Sequence, residues 1–185
     1  MSEKEKMLSG ELYDPVDDME LYYERTKCKS ICQKYNSLMP DRTEERKSII
    51  KKLFGKTGKS FWIEPNFFCD YGYNIKIGEN FYANHNCVIL DPAKVTFGNN
   101  VFIGPNCGFY TAGHPTDVEM RNKGLEFAKP IRVGNNVWIG GNVCILPNVT
   151  IGDNVTIGAG SVVVHDIPSN RVAVGNPCRV VKSNI

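Results

Sequence analysis

Beyond about residue 60, a six-residue spacing of aliphatic side chains limits what this chain can fold into. Val133, Ile139, Ile145, Ile151, Ile157 and Val163 stand six apart without a break, and Val137, Val143, Val149 and Val155 form a second series at the same interval. Gly134, Gly140, Gly152 and Gly158 directly follow members of the first series. The preceding stretch repeats more loosely, with Ile77, Ala83 and Ile89, then a two-residue slip to Phe97, Ile103 and Phe109. A strand alternates sides every two residues, so a six-residue unit holds one short strand and one corner, and three units close a triangular coil. The aliphatic residues then point inward and stack from coil to coil. Gly, Asn and Asp suit corners that need positive φ or a tight turn. The spacing predicts a mainly β chain in which twelve units make about four coils of a parallel β-helix. An antiparallel sandwich is the alternative, but its turn signals would drift over about 8 to 12 residues.

The repeat is broken once at length. Phe109 and Val133 are 24 residues apart, and TAGHPTDVEMRNKGLEFAKPI between them lacks the pattern, so an excursion over residues 111–130 leaves one corner. Long irregular loops in a compact domain are uncommon unless they serve a function. Residues 1–58 read instead as a helical segment, and 59–185 as the coil with its tail. Asp17 or Asp18 precedes MELYYERTKCKSICQKYNSLM, with apolar or aromatic residues at 21, 28, 31, 32, 35 and 38, and Pro40 closes that helix. Asp41 followed by Glu44 predicts a capping box at the start of RTEERKSIIKKLFG. Two helices beside the first coil are expected.

Twenty-two basic and 20 acidic residues leave a charge of +2, which supplies no electrostatic footprint for nucleic acid or anionic lipid. The charged opening MSEKEKMLSGELYDP lacks the apolar run of a secretory signal, and no stretch approaches a membrane span, so a soluble cytoplasmic protein is expected. Seven cysteines at irregular spacing, without a C-x-x-C pair or a histidine at zinc spacing, read as small apolar fillers in a reducing compartment.

The residues resemble the galactoside and maltose O-acetyltransferases, closer to the maltose-type branch of these hexapeptide-repeat acyltransferases. The resemblance runs from MLSGELYDP to GNPCRVV and is carried by CDYGYNIKIG (69–78), FYANHNCVILD (81–91), TAGHP (111–115) and GNNVWIGGNVCILPNVTIGDN (134–154). It implies a left-handed coil, a homotrimer with sites between subunits, and acetyl transfer from acetyl-CoA to a sugar hydroxyl, with no metal.

Acetyl transfer from a thioester to an alcohol needs a base, a donor to the developing oxyanion and a slot for the carrier. His114, in the loop that breaks the repeat, is the expected base, because an imidazole can accept a proton at neutral pH. By resemblance, Asn84 steadies the transition state and contacts substrate, and Glu126 orients the histidine. Asp17, Asp70 and Asp91 match acceptor-binding positions, where a carboxylate can accept two hydrogen bonds from neighbouring sugar hydroxyls. Tyr82 is expected to face the acceptor. Asp70 lies where galactoside-type members tend to carry serine, which leans the reading toward glucose-type sugars. The carrier groove maps to Trp138, Gly141, Ala159, Val164, His165, Arg179 and Lys182. Val164-His165 departs from the usual Thr-Lys pair and removes one hydroxyl and one fixed positive charge.

Three other readings share such a coil, two enzymatic and one noncatalytic. A zinc-dependent carbonic anhydrase of this architecture needs three converging histidines, whereas His85, His114 and His165 are 29 and 51 residues apart. An antibiotic acetyltransferase would share the loop histidine but not the MLSGELYDP start. A noncatalytic scaffold would not require His114, Asn84 and Trp138 together.

Overall fold

The computed structural model describes residues 1–184 as a parallel β-helix with a helical N-terminal segment against its first coils. Three sheets form the faces of the prism. Face I contains Phe61–Ile63, Phe81–Ala83, Val101–Ile103, Val137–Ile139, Thr156–Ile157 and Arg171–Val174, all parallel, with Arg179–Ser183 added antiparallel at the end. Face II contains Phe67–Cys69, Cys87–Leu90, Gly108–Tyr110, Cys144–Ile145 and Val162–Val163. Face III contains Ile75–Lys76, Val95–Phe97, Ile131–Val133 and Thr150–Ile151, and an isolated bridge at Ile167 extends it.

The chain visits the faces in the order I, II, III. It completes five turns and begins a sixth, more than the four coils that the aliphatic count predicts. The extra turn uses Phe61, Phe67 and Cys69 at the start and Ala173 at the end, where aromatic, thiol and small side chains replace the aliphatic marker.

The inward residues of both six-residue series are buried, and each large one contributes about 1.5–3 kcal/mol of apolar burial. At the corner between faces III and I, Asn80, Asn100, Asn136, Asn154 and Asn170 all hold positive φ. Their side-chain amides donate to the next asparagine at 2.8–3.0 Å, which joins the coils in a continuous ladder. Glycine stands two residues before the first four of these asparagines because the coils approach closely there: a Cβ on Gly78 would lie 2.4 Å from the carbonyl oxygen of Gly98.

Departures from the six-residue period all fall on the corner between faces II and III. Counted between inward residues, the steps there are eight from Cys69 to Ile77, eight from Ile89 to Phe97, 24 from Phe109 to Val133 and four from Val163 to Ile167. One edge of an otherwise regular prism therefore carries every insertion. The long excursion is ordered as a narrow hairpin: Ala112–Gly113 pairs antiparallel with Phe127–Ala128, and a short helix, Val118–Asn122, sits at its tip.

Three helices precede the coil: α1 (Glu3–Ser9), α2 (Met19–Ser37) and α3 (Thr43–Leu53). α1 adds to the two expected. Its signal is local, a capping box in which Ser2 accepts from the Glu5 amide and the Glu5 carboxylate accepts from the Ser2 amide. Asp18 caps α2 through the Leu21 amide at 2.8 Å. The expected capping box at Asp41 does not form; α3 starts after Arg42 without a side-chain cap. No helix among the described residues is long and apolar enough to cross a membrane.

Candidate active site

His114 follows Ala112–Gly113 as the hairpin leaves the coil, and its side chain is about half exposed. Its Nδ1 lies 2.9 Å from the carbonyl oxygen of Leu125 on the returning arm. A carbonyl can only accept, so this contact places the ring proton on Nδ1 and leaves Nε2 of the neutral imidazole with a free lone pair. Nε2 is 3.9 Å from Glu126 Oε1, beyond hydrogen-bond reach. In this conformation the Leu125 carbonyl is the ring's hydrogen-bond partner, with the Glu126 carboxylate standing beyond it.

Glu126 is held from the other side. The Tyr13 hydroxyl donates to Glu126 Oε2 at 2.6 Å, and the two backbones exchange amide-to-carbonyl hydrogen bonds at 3.0 Å each. Tyr13 is buried, and burial together with the carboxylate it serves raises its pKa far above the ordinary phenol value, so it remains a donor. The segment between α1 and α2 thus clamps the arm that carries the Leu125 carbonyl. Nothing in the sequence around Tyr13 marks this pairing, because its partner lies 113 residues away.

Below the hairpin, the same corner holds Asp70 and Asp91. Asp91 is fully buried, and its carboxylate accepts from the amides of Asp70, Tyr71 and Gly72 at 3.0, 2.9 and 2.8 Å. Burial pushes its pKa up to about 7 against the opposing pull of those amides. An acceptor-binding position by resemblance, Asp91 here binds the backbone that carries Asp70 and presents no surface to a ligand. Asp70 itself is half-buried and lines a cleft. Burial, then the nearby Glu126 carboxylate, raise its pKa to about 6, while Arg25 and Lys29 oppose the shift.

A cleft follows this corner. One cavity of about 310 Å³ is lined by Leu90, Tyr110, His114 and Glu126 among others, and a neighbouring one of similar volume by Tyr13, Arg25, Lys29, Asp70 and Glu126. A larger cavity of about 670 Å³ continues past Asp70 along α2. His114, Glu126 and Asp70 are therefore brought to one cleft. Asp17 is exposed beside it, with Pro15 and Val16 of its segment forming part of the wall.

The other expected residues stand elsewhere on the same chain. Tyr82 points outward from face I, and Asn84 occupies the corner between faces I and II, its side-chain oxygen accepting from the His85 amide at 2.7 Å. Trp138 is 60% exposed on face I, in register with Phe102 and, one coil further down, with Tyr82. Gly141 and Ala159 flank the last two strands of face II on one side, and Val164 and His165 flank them on the other. Arg179 and Lys182 lie exposed on the final antiparallel strand.

Two family profiles match: the maltose acetyltransferase hexapeptide capping motif over residues 6–58 and six bacterial transferase hexapeptide repeats over 130–165. A maltose O-acetyltransferase from Clostridium difficile 630 is 54% identical, with a TM-score of 0.97 over 99% of this chain and 97% of its own. A galactoside acetyltransferase in complex with coenzyme A is 44% identical, with a TM-score of 0.96 over 100% of this chain and 92% of its own. A hexapeptide-repeat acetyltransferase from Vibrio cholerae, complexed with acetyl coenzyme A, is 38% identical, with a TM-score of 0.92 over the whole of both chains. From its helical cap to its last coil, then, this chain belongs to the maltose and galactoside O-acetyltransferase family of hexapeptide-repeat proteins.

Proposed function

We propose that this protein transfers the acetyl group of acetyl-CoA to a hydroxyl of a glucose- or maltose-type sugar, with His114 as the general base. The observation that carries this reading is the Leu125 carbonyl on His114 Nδ1, which leaves Nε2 free to accept a proton at the mouth of the cleft. Nε2 takes the hydroxyl proton as the sugar oxygen adds to the thioester carbonyl, and returns it to the departing sulfur when the carbon–sulfur bond breaks. Such assistance is worth about 10²–10⁴-fold. Coenzyme A in the galactoside and Vibrio relatives supports the choice of donor.

Asp70 accepts hydrogen bonds from the sugar hydroxyls, and Asp17 closes the exposed end of that subsite. Asp91 acts one step back, by fixing the backbone of residues 70–72. Glu126 holds the returning arm through Tyr13 and lies close enough to stabilise the imidazolium once it forms.

Asn84, Tyr82 and Trp138 belong to a different face of the prism from His114, so a complete site needs a second copy of the chain. The outer surfaces support this. Face I exposes Trp138 and Phe102 with Tyr82 half-buried beside them, and face II exposes Phe68, while face III presents Lys76, Thr96, Arg132 and Thr150. Two apolar faces and one polar face suit a closed trimer in which face I of each copy meets the hairpin corner of the next. There Asn84 donates to the developing oxyanion and Tyr82 packs on the acceptor. The carrier runs past Trp138, Gly141, Ala159 and Val164-His165 toward the cationic Arg179 and Lys182. Seven unpaired cysteines fit a cytoplasmic setting.

Release of free thiol from acetyl-CoA across a panel of sugars and hydroxyl-bearing antibiotics tests the reading. Turnover with glucose- or maltose-type sugars is expected; turnover with antibiotics alone, or with no acceptor, would overturn it.

A further inference from the structure

Three of the seven cysteines, scattered in sequence, converge in space. Cys28 and Cys32 are four residues apart on α2 and so share one helical face, which packs on the strand Phe67–Cys69. Cys28 Sγ is 3.5 Å and Cys32 Sγ 3.9 Å from Cys69 Sγ, and all three sulfurs lie within 4.8 Å of one another. All three thiols are buried and none is in a disulfide. In planar trigonal coordination, metal–sulfur bonds of about 2.3 Å require sulfurs about 4.0 Å apart; the spacings of 3.5 and 3.9 Å lie just below that value, and the third is at most 4.8 Å.

We propose that Cys28, Cys32 and Cys69 form a three-sulfur site for a soft, thiophilic metal ion that ties α2 to the first coil. The ligand class follows from the donor set. Among the described residues the cluster contains sulfur only. The oxygens of Asp91, the nearby buried carboxylate, are occupied by the amides of residues 70–72. Thiolates without hard oxygen donors select ions such as Cd(II), Zn(II) or Cu(I) over Mg(II) or Ca(II).

The site also has a route in, because Cys32 and Cys69 line the 670 Å³ cavity together with Asp70, and Lys29 places a positive charge on its rim. Loading breaks the three S–H bonds, forms three metal–sulfur bonds and releases three protons to solvent; a divalent ion leaves one net negative charge. The uneven sequence spacing conceals the cluster, which is why these residues read as apolar fillers.

The test uses Cd(II) alone on the full chain, kept reduced with a phosphine. A cadmium-soaked crystal of the wild-type protein is expected to show an anomalous peak between the three sulfurs. In solution, the thiolate-to-cadmium charge-transfer band should saturate at one ion per chain, disappear in Cys28→Ser and persist in Cys144→Ser. Anomalous peaks only at surface groups, or a band that Cys28→Ser leaves unchanged, would overturn the proposal. The crystallographic arm needs no substitution and stands even if Cys28→Ser fails to fold.

Discussion

Tyr13→Phe is the sharpest perturbation of the proposed catalytic corner, because it removes one oxygen from a buried ring and leaves the packing in place. The lost hydrogen bond is to a charged carboxylate, a contact worth about 1.5–3 kcal/mol. The Glu126 side chain is 24% exposed, so water can replace part of it, and the low end of that range applies. The two backbone hydrogen bonds between Tyr13 and Glu126 survive the substitution, so the hairpin stays docked and only the side chain under His114 is freed. If about 1.4 kcal/mol of that loss falls on the transition state, kcat drops about tenfold. KM for acetyl-CoA should hold, because its proposed groove does not include Tyr13. Initial rates of thiol release at saturating acceptor, alongside a thermal melt to verify folding, measure both. A folded Tyr13→Phe protein with kcat within about twofold of wild type would refute a contribution of the Tyr13-held Glu126 carboxylate to turnover.

Three further outcomes follow from the geometry. The raised Asp70 pKa, about 6, means that its carboxylate becomes protonated and loses acceptor strength as pH falls through that value. The acceptor KM should therefore climb below about pH 6, and Asp70→Asn should weaken binding at neutral pH while abolishing that rise. Gly98→Ala would place a Cβ 2.7 Å from the Gly134 carbonyl oxygen, so a loss of about 1–3 kcal/mol in denaturant unfolding is expected. His165→Lys restores a fixed cation beside the proposed carrier groove and should lower KM for acetyl-CoA; an unchanged or raised value would remove His165 from it.

The coil was readable from sequence because its period is enforced locally. Each six-residue unit must return an aliphatic side chain to the same interior, and each corner must accept positive φ, so Ile139 or Asn136 announces its place without knowledge of its neighbours. The turn count fell short where Phe61, Phe67 and Cys69 fill the same interior with different side chains. The excursion that carries His114 was legible for the opposite reason, since it lies where the repeat fails. The slips at Ile77 and Phe97 belong to the same edge as the hairpin, a signal present in the spacing that becomes meaningful only once the faces are stacked. Contacts joining distant segments were not legible: Tyr13 with Glu126, the Leu125 carbonyl on His114, and the Cys28, Cys32 and Cys69 cluster depend on how the helical cap and the hairpin dock. Nor could spacing show that Asp91 is consumed by backbone amides while Asp70 faces the cleft.

The central claim concerns a single nitrogen, Nε2 of His114, and kcat of a folded His114→Ala protein with acetyl-CoA and a sugar acceptor tests it most directly. A fall of about 10²-fold or more with KM for acetyl-CoA little changed is the predicted result. Turnover close to wild type would contradict it and move the proton acceptor to another residue.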